Sequence, residues 1–510
     1  MLRKRSPQLF KILSILCFLF ISSIAYSQAL LVPIEDSIDN FEKSNQSKLF
    51  YHDGAWWVIA QWSDKTWHLW KYQNNTWVRD IAIDSENKSR PDCYMDSQNN
   101  KLYVSSAHTS NHRFYVVNYS NGSWSIPEGY PVEILDFSYS DDNVASFCVD
   151  QSGRIWIFRI FESVLQYVYS DDDGKTWTNK FALGAKLNVP EGLTDAVAFT
   201  EDGVDYIGVA YAENTASGLD SHFGFLLHKV SDPPIVWSSE KAVMGQFPDV
   251  HSDNHISALA DTDGSVYIVV KTGGSSGAAA DNGLYVRKNG TWRRYVVNSV
   301  GGWTRLSLAI DHTNNDLYVF GTTEGTPAYG VYKRVAIGSE ELLDGLPQEI
   351  ILQNGEDKFN NMSLPNHPVD ETTGLMVAAQ NKTDGHIWSG FLEINERISA
   401  IADQSFGTSP SDFGLVGVYP NPLKQDAITA GTHITAQMLL PAAQSANIFV
   451  YNMLGQRVVT LTDHVRGQQG MTQVSWNGKN AAGQLVPPGV YFLQVQTRQY
   501  SDTKKILILR

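Results

Sequence analysis

Asp150-Gln151-Ser152-Gly153-Arg154-Ile155-Trp156-Ile157-Phe158, followed after a loop by Leu165-Gln166-Tyr167-Val168-Tyr169-Ser170-Asp171-Asp172-Asp173-Gly174-Lys175-Thr176-Trp177, is the clearest copy of a unit that the chain repeats. The first turn carries Gly153 where a positive φ is needed, and the aromatic and β-branched runs beside it read as strands. In the second turn the Ser170 and Asp172 side chains are suited to bond turn amides, Gly174 takes the left-handed conformation, and Trp177 packs between neighbouring sheets. The unit is therefore strand, tight turn, strand, loop, strand, turn, strand.

Aligning the second strand of each copy places anchors at Trp56, Leu102, Ile155, Tyr206, Val266, Leu317 and Leu375, separated by 46, 53, 51, 60, 51 and 58 residues. A period near 50 with about four short strands per copy is the pattern of an all-β propeller. Seven copies imply seven blades, with a six-bladed ring as the alternative. The outer tryptophan recurs as Trp77, Trp124, Trp237 and Trp292, but copies six and seven lack it. The last copy shows only three strands, so the run Ala29–Ile34 is expected to supply the fourth and close the ring, which would otherwise carry an open edge.

The S-x-D-x-G-x-T-W pattern of Ser170, Asp172, Gly174 and Trp177 resembles the Asp box of BNR-repeat, sialidase-like propellers. The resemblance implies a structural turn on the outer hairpin, far from an axial site. Sialidase activity does not carry over: Phe158-Arg159-Ile160-Phe161 lacks the proline of the F-R-I-P motif, and it sits in the third copy.

Arg3, Lys4, Arg5 and Lys11 precede an apolar stretch ending at Ala25-Tyr26-Ser27, which reads as a secretory signal peptide over residues 1–27 cleaved near Ser27/Gln28. Its removal takes four basic and no acidic residues and moves the formal net charge from −15 to −19. So acidic a chain is a poor partner for nucleic acid. No later stretch is long and apolar enough to span a bilayer. Cys93 and Cys148 remain in the exported chain. Their offsets from Asp96 and Asp150 differ by one residue, which leaves one disulfide and two buried thiols both open.

The propeller is expected over 28–397, a linker over 398–412 and a small Ig-like β-sandwich over 413–510. Within the last segment Val418–Pro422, Ile448–Val459, Val474–Gly478, Pro488–Leu493 and Lys504–Arg510 form five motifs in order, ending at the chain terminus. Together they resemble the type A C-terminal sorting domain of the type IX secretion system. That likeness implies export across the outer membrane of a Bacteroidota-type cell, with release or anchoring at the surface, and the secretion machinery as partner of residues 413–510.

No metal-spacing Cys/His cluster, phosphate loop or nucleophile elbow stands out, so no cofactor or metal is expected. Any site must be built from dispersed residues at one mouth of the channel. Arg90, His255 and Arg305 each lie six residues before a turn aspartate (Asp96, Asp261, Asp311), and Asn143 lies seven before Asp150. Second-strand exits add His108, Arg159 and Lys271. Equal offsets predict that Arg90, His255 and Arg305 share one rim, suited to an acidic glycan. The stretch His251–His255 with Tyr267–Lys271 is similar to BNR-type propellers acting on acidic polysaccharides, where His and Tyr serve as base and acid in β-elimination. Three functions follow: a module binding a glycan or another cell-surface ligand, a glycoside hydrolase or polysaccharide lyase using the same mouth, or a surface structural protein. The missing acid/base pair favours the first.

Overall fold

A computed structural model describes residues 31–395 and 414–509, apart from 39, 44, 109–110, 138–143, 184–192, 213–222, 241–251, 273–281, 300–301, 420, 422, 430–432, 441–443, 453–455, 468–469 and 497–500. The signal peptide and linker expected from the sequence lie outside these residues. The chain divides into two compact units, 1–397 and 398–510.

The first unit is a seven-bladed β-propeller. Its sheets run Leu49–Asp84, Arg90–Ile134, Ser146–Leu183, Leu193–Ser239, Ser252–Asn298, Trp303–Leu352 and Phe359–Leu392, each an antiparallel sheet ordered from the innermost strand outward. The seven sequence anchors all fall in second strands. Such strands are buried along most of their length, and throughout in Ala55–Gln61 and Leu375–Asn381, because a blade is covered on both faces by its neighbours. This explains why they read as continuous apolar and aromatic runs rather than alternating ones.

The seventh sheet takes its outermost strand from the N-terminus. Val32, Pro33 and Ile34 pair antiparallel with Ser389, Trp388 and Ile387, in the sheet that contains Leu375. On the inside, a parallel bridge from Leu49 to Pro365 joins the first blade to the seventh. The ring is thus closed by joining both ends of its sequence, and Val32 and Ile34 are buried in the joint core.

Cys93 and Cys148 are both buried free thiols. Cys93 packs in the core between blades one and two, and Cys148 in that between blades three and four. The one-residue offset has sent their side chains to different interblade layers.

The second unit has the two sheets of an Ig-like sandwich. One holds Gly414–Tyr419, Ile434–Leu440 and Gly470–Trp476; the other holds Leu423–Lys424, Ser501–Leu509, Gly489–Gln496, Gln444–Asn452 and Arg457–Gly467. Trp476, Val450, Leu493 and Ile506 lie in its core.

Candidate functional site

The innermost strands surround an axial cavity of ≈ 240 Å³, lined by the second to seventh blades and by Asn45, Gln46 and Ser47, which precede the first. Asp92, Asp195, Ser257 and Ser307 line its middle, and Tyr94, Asp150, Gln151 and Asn366 line the end nearer the inner hairpin turns. There it meets a groove of ≈ 750 Å³ that shares Tyr94, Val149, Asp150 and Gln151 and adds Tyr51, Tyr103, Asn99 and His367.

At the opposite end the chain itself crosses the channel. After the closing strand, residues 40–43 and 45–48 run inward to begin the first blade. The Asn45 amide donates to Thr194 O of the fourth blade at 2.8 Å, and the Gln46 amide donates to Arg90 O and Ala145 O of the second and third blades at 3.1 and 3.2 Å. Ser47 Oγ donates to Leu364 O of the seventh at 2.6 Å. Asn45 to Lys48 are all buried, and Asn45 Oδ1 has no hydrogen-bond partner among the described residues.

This crossing segment builds a buried ionisable cluster. Lys48 is fully buried, with Nζ donating to Gln46 Oε1 at 3.2 Å and lying 5.6 Å from the Phe41 ring. Burial pulls its ammonium down to about 8, although Asp92 opposes the shift. Asp92 accepts from Ser47 N–H at 2.8 Å, and burial pushes its carboxyl up to about 7 against the pull of Lys48. Asp195 accepts from Ala258 N–H of the next blade at 2.7 Å and is held well above the usual carboxylate range, by burial first and by Asp92 in part. The two acids therefore tie neighbouring innermost strands while facing the cavity. Sequence reasoning passed over all three groups. The available signal was a carboxylate inside each of the apolar runs Arg90–Asp96 and Leu193–Glu201.

The sequence-derived rim residues have diverse settings. Arg90 pairs with Glu42 of the crossing segment at 3.0 Å, Lys271 with Glu324 at 2.6 Å, and His108 lies 3.8 Å from Glu86. Arg159 is buried, 1 % exposed, with its guanidinium donating to Gln166 Oε1 and Asp136 O and stacked on Phe137. Asn143 lies outside the described residues. His255 and Arg305 are half-buried, each in a β-bulge of its innermost strand, between Ser252 and Ile256 and between Thr304 and Ser307. Arg305 takes φ 53° there. Arg90 pairs with Ala107 in an unbulged strand, six residues past the turn-closing Lys101; the corresponding residue six past Asp316 is Thr322, whose partner is Thr304. Thr304, not Arg305, is the register equivalent of Arg90, because a bulge adds a residue to one strand alone.

The Ser170–Trp177 turn is a closed hydrogen-bond unit. Gly174 N–H donates to Ser170 Oγ at 2.9 Å, Ser170 Oγ to Asp172 Oδ1 at 2.8 Å, Thr176 N–H to Asp172 Oδ1 at 2.8 Å and Trp177 Nε1 to Gly174 O at 2.9 Å. Burial would raise the Asp172 carboxyl, but the bonds from Thr176 and Ser170 together hold it below its usual range.

Residues 425–501 match the family model of the FlgD Ig-like domain. No curated protein matches the sequence. Among solved structures, a PL25 ulvan lyase bound to a GlcA–Rha3S fragment is similar at 11% identity and TM-score 0.47, covering 71% of this chain and 95% of its own. Polysaccharide lyase Uly1 is similar at 9% identity and TM-score 0.45, covering 72% and 99%. PorZ, a surface component of the type IX secretion system of Porphyromonas gingivalis, is similar at 11% identity and TM-score 0.24, covering 91% and 75%. Likenesses at this level bear on neither activity nor ligand.

Proposed function

We propose that this chain is an exported carbohydrate-recognising propeller that takes a glycan into the axial cavity and the tyrosine-lined groove continuous with it, and that residues 413–510 direct it through a type IX secretion system. The observation that carries the ligand reading is the continuity of a polar pocket, built by the second to seventh blades and the crossing segment and lined by Gln151 and Asn366, with a groove presenting Tyr51 and Tyr94 beside Asn99. Aromatic faces and amide side chains suit the apolar faces and hydroxyls of a sugar. Neutral glycans fit better than acidic ones. Arg90, Lys271 and His108 at the other mouth are already answered by Glu42, Glu324 and Glu86, and an anion would compete with those carboxylates.

A glycan array probed with the mature chain and with Tyr94→Ala and Gln151→Ala tests this. Binding to neutral oligosaccharides that falls at least tenfold in the variants is expected. Silence on every glycan, or variants equal to wild type, would sink it.

A second reading, a glycoside hydrolase or lyase, rests on Asp92, whose carboxyl burial pushes up to about 7, the range in which a general acid works. Under that reading Asp92→Asn abolishes turnover of a bound oligosaccharide while leaving its binding intact.

A further inference from the structure

Five interblade clefts are sealed on the outside by a tryptophan that each blade lays against the preceding one. Trp77 donates to Ser389 Oγ, Trp124 stands edge-on to Phe50, Trp177 to Phe114, Trp237 to Phe158 and Trp292 to Phe225. The sixth blade has no such residue. Where the third blade places its Ser170–Trp177 turn, the sixth runs through Gly338 into a short 3-10 turn, Glu340–Gly345.

The consequence is visible at two equivalent tyrosines. Tyr103 and Tyr267 each lie two residues past the residue that closes the inner hairpin, Lys101 and Ser265. Tyr103 OH donates to Asp173 of the next blade's turn at 3.0 Å, and Lys101 pairs with the same carboxylate at 2.7 Å, so the turn walls that cleft, and the space beside it is the ≈ 750 Å³ groove that meets the axial cavity. Beside Tyr267, where the sixth blade has no such turn, the cleft between blades five and six holds a separate pocket of ≈ 850 Å³. Arg293, Tyr295 and Asn289 line it from the fifth blade, and Asn315 and Glu340 from the sixth.

Its charges nearly cancel. Lys288 pairs with Asp263 at 2.9 Å, and His312 Nε2 lies 2.8 Å from Asp261 Oδ1. Glu340 accepts from Gly338 N–H at 2.8 Å. Arg293 is exposed and has no charged partner among the described residues. A cleft with little net field, one available guanidinium, two side-chain amides and a tyrosine face has no electrostatic reason to select an anion, and it offers the donors and the platform that a pyranose needs.

We propose that the cleft between the fifth and sixth blades is a second carbohydrate site, for a neutral hexose oligosaccharide, with Tyr295 as stacking platform and the Arg293 guanidinium as N–H donor to the sugar hydroxyls. It shares no lining residue with the axial cavity or its groove, so it stands or falls apart from that reading.

Titration calorimetry of the full mature chain with cellohexaose, mannohexaose and laminarihexaose, and with a hexagalacturonate as the acidic control, tests it. At least one neutral hexasaccharide binds wild type, and Arg293→Ala and Tyr295→Ala each weaken that event tenfold or more, whereas Tyr295→Phe, which keeps the ring, retains it. Gln151→Ala leaves this event unchanged. If the axial site also binds, wild type shows two sites and Tyr295→Ala one; if the axial reading fails, Tyr295→Ala removes the single site. Arg293→Ala is a surface change that leaves the melting temperature in place, so its loss of binding reports the site and not the fold. The proposal is overturned if none of the neutral probes binds, if only hexagalacturonate binds, or if Arg293→Ala binds as wild type.

Discussion

Trp177 of the third blade stands edge-on to Phe114 of the second, with ring centroids 5.1 Å apart at 67°. Gly174 makes this approach possible: its φ is 79°, and a Cβ there would lie 2.4 Å from the Phe114 ring. The turn at the blade's edge is therefore an interblade clasp, held internally by Ser170 and Asp172 and externally by Lys101, Tyr103 and Tyr130.

Gly174→Ala should accordingly destabilise the propeller by ~2–4 kcal/mol, because it adds a clash to an unfavourable φ. Gly153→Ala is the control: its φ is 84° but no atom lies within 4 Å of the added Cβ, so a loss of only about 1 kcal/mol is expected there. Equilibrium denaturation of the two variants measures the difference, and equal losses would refute the clasp.

The buried pair Asp92 and Lys48 predicts an unusual pH profile. The Asp92 carboxyl is raised in the fold from 3.8 to about 7, so its contribution is fully present below the unfolded value and is lost as pH rises through about 7. The Lys48 ammonium is lowered from 10.5 to about 8, so its contribution is present above the unfolded value and is lost as pH falls through about 8. Their sum has a minimum between those values. Asp92→Asn keeps an acceptor for Ser47 N–H and cannot ionise. Its stability relative to wild type should rise between roughly pH 4 and 8, by on the order of 2–4 kcal/mol. A pH-independent difference in denaturation free energy would contradict the assignment.

Removal of residues 28–48 takes away both the outer strand of the seventh blade and the segment crossing the channel. An open seventh edge and unpartnered Thr194 O, Arg90 O and Ala145 O should leave a chain that does not melt cooperatively and that associates. Size exclusion and calorimetry of the truncated protein check this; a monomer with an unchanged melting temperature would show that the ring does not depend on its N-terminal closure.

The export proposal is tested by deleting residues 413–510 in the secreting host. The two units have separate cores, so the propeller should still fold and be retained in the periplasm. An unchanged extracellular yield would count against a sorting role for the C-terminal unit.

The amino-acid sequence by itself determined the propeller architecture, the order of its repeats and the strand that closes them, while leaving six blades as an alternative to seven. These follow from local chemistry: glycine and asparagine turns at a period near 50, apolar runs with buried anchors such as Trp56 and Leu375, and a run, Ala29–Ile34, with no partner in its own copy. Tertiary structure alone decided the rest. That Asn45 reaches Thr194 and that Lys48 shares an interior with Asp92 depends on a segment crossing between blades far apart in sequence. Arg159 has the sequence character of a rim cation, yet its side chain is spent on Gln166 and Phe137 inside the fold. The bulge at Arg305 breaks the equal spacing that made it look equivalent to Arg90. Local turn and strand preferences act within a few residues, whereas burial, ionisation and the vacancy of a cleft are set by whichever neighbour the ring brings alongside.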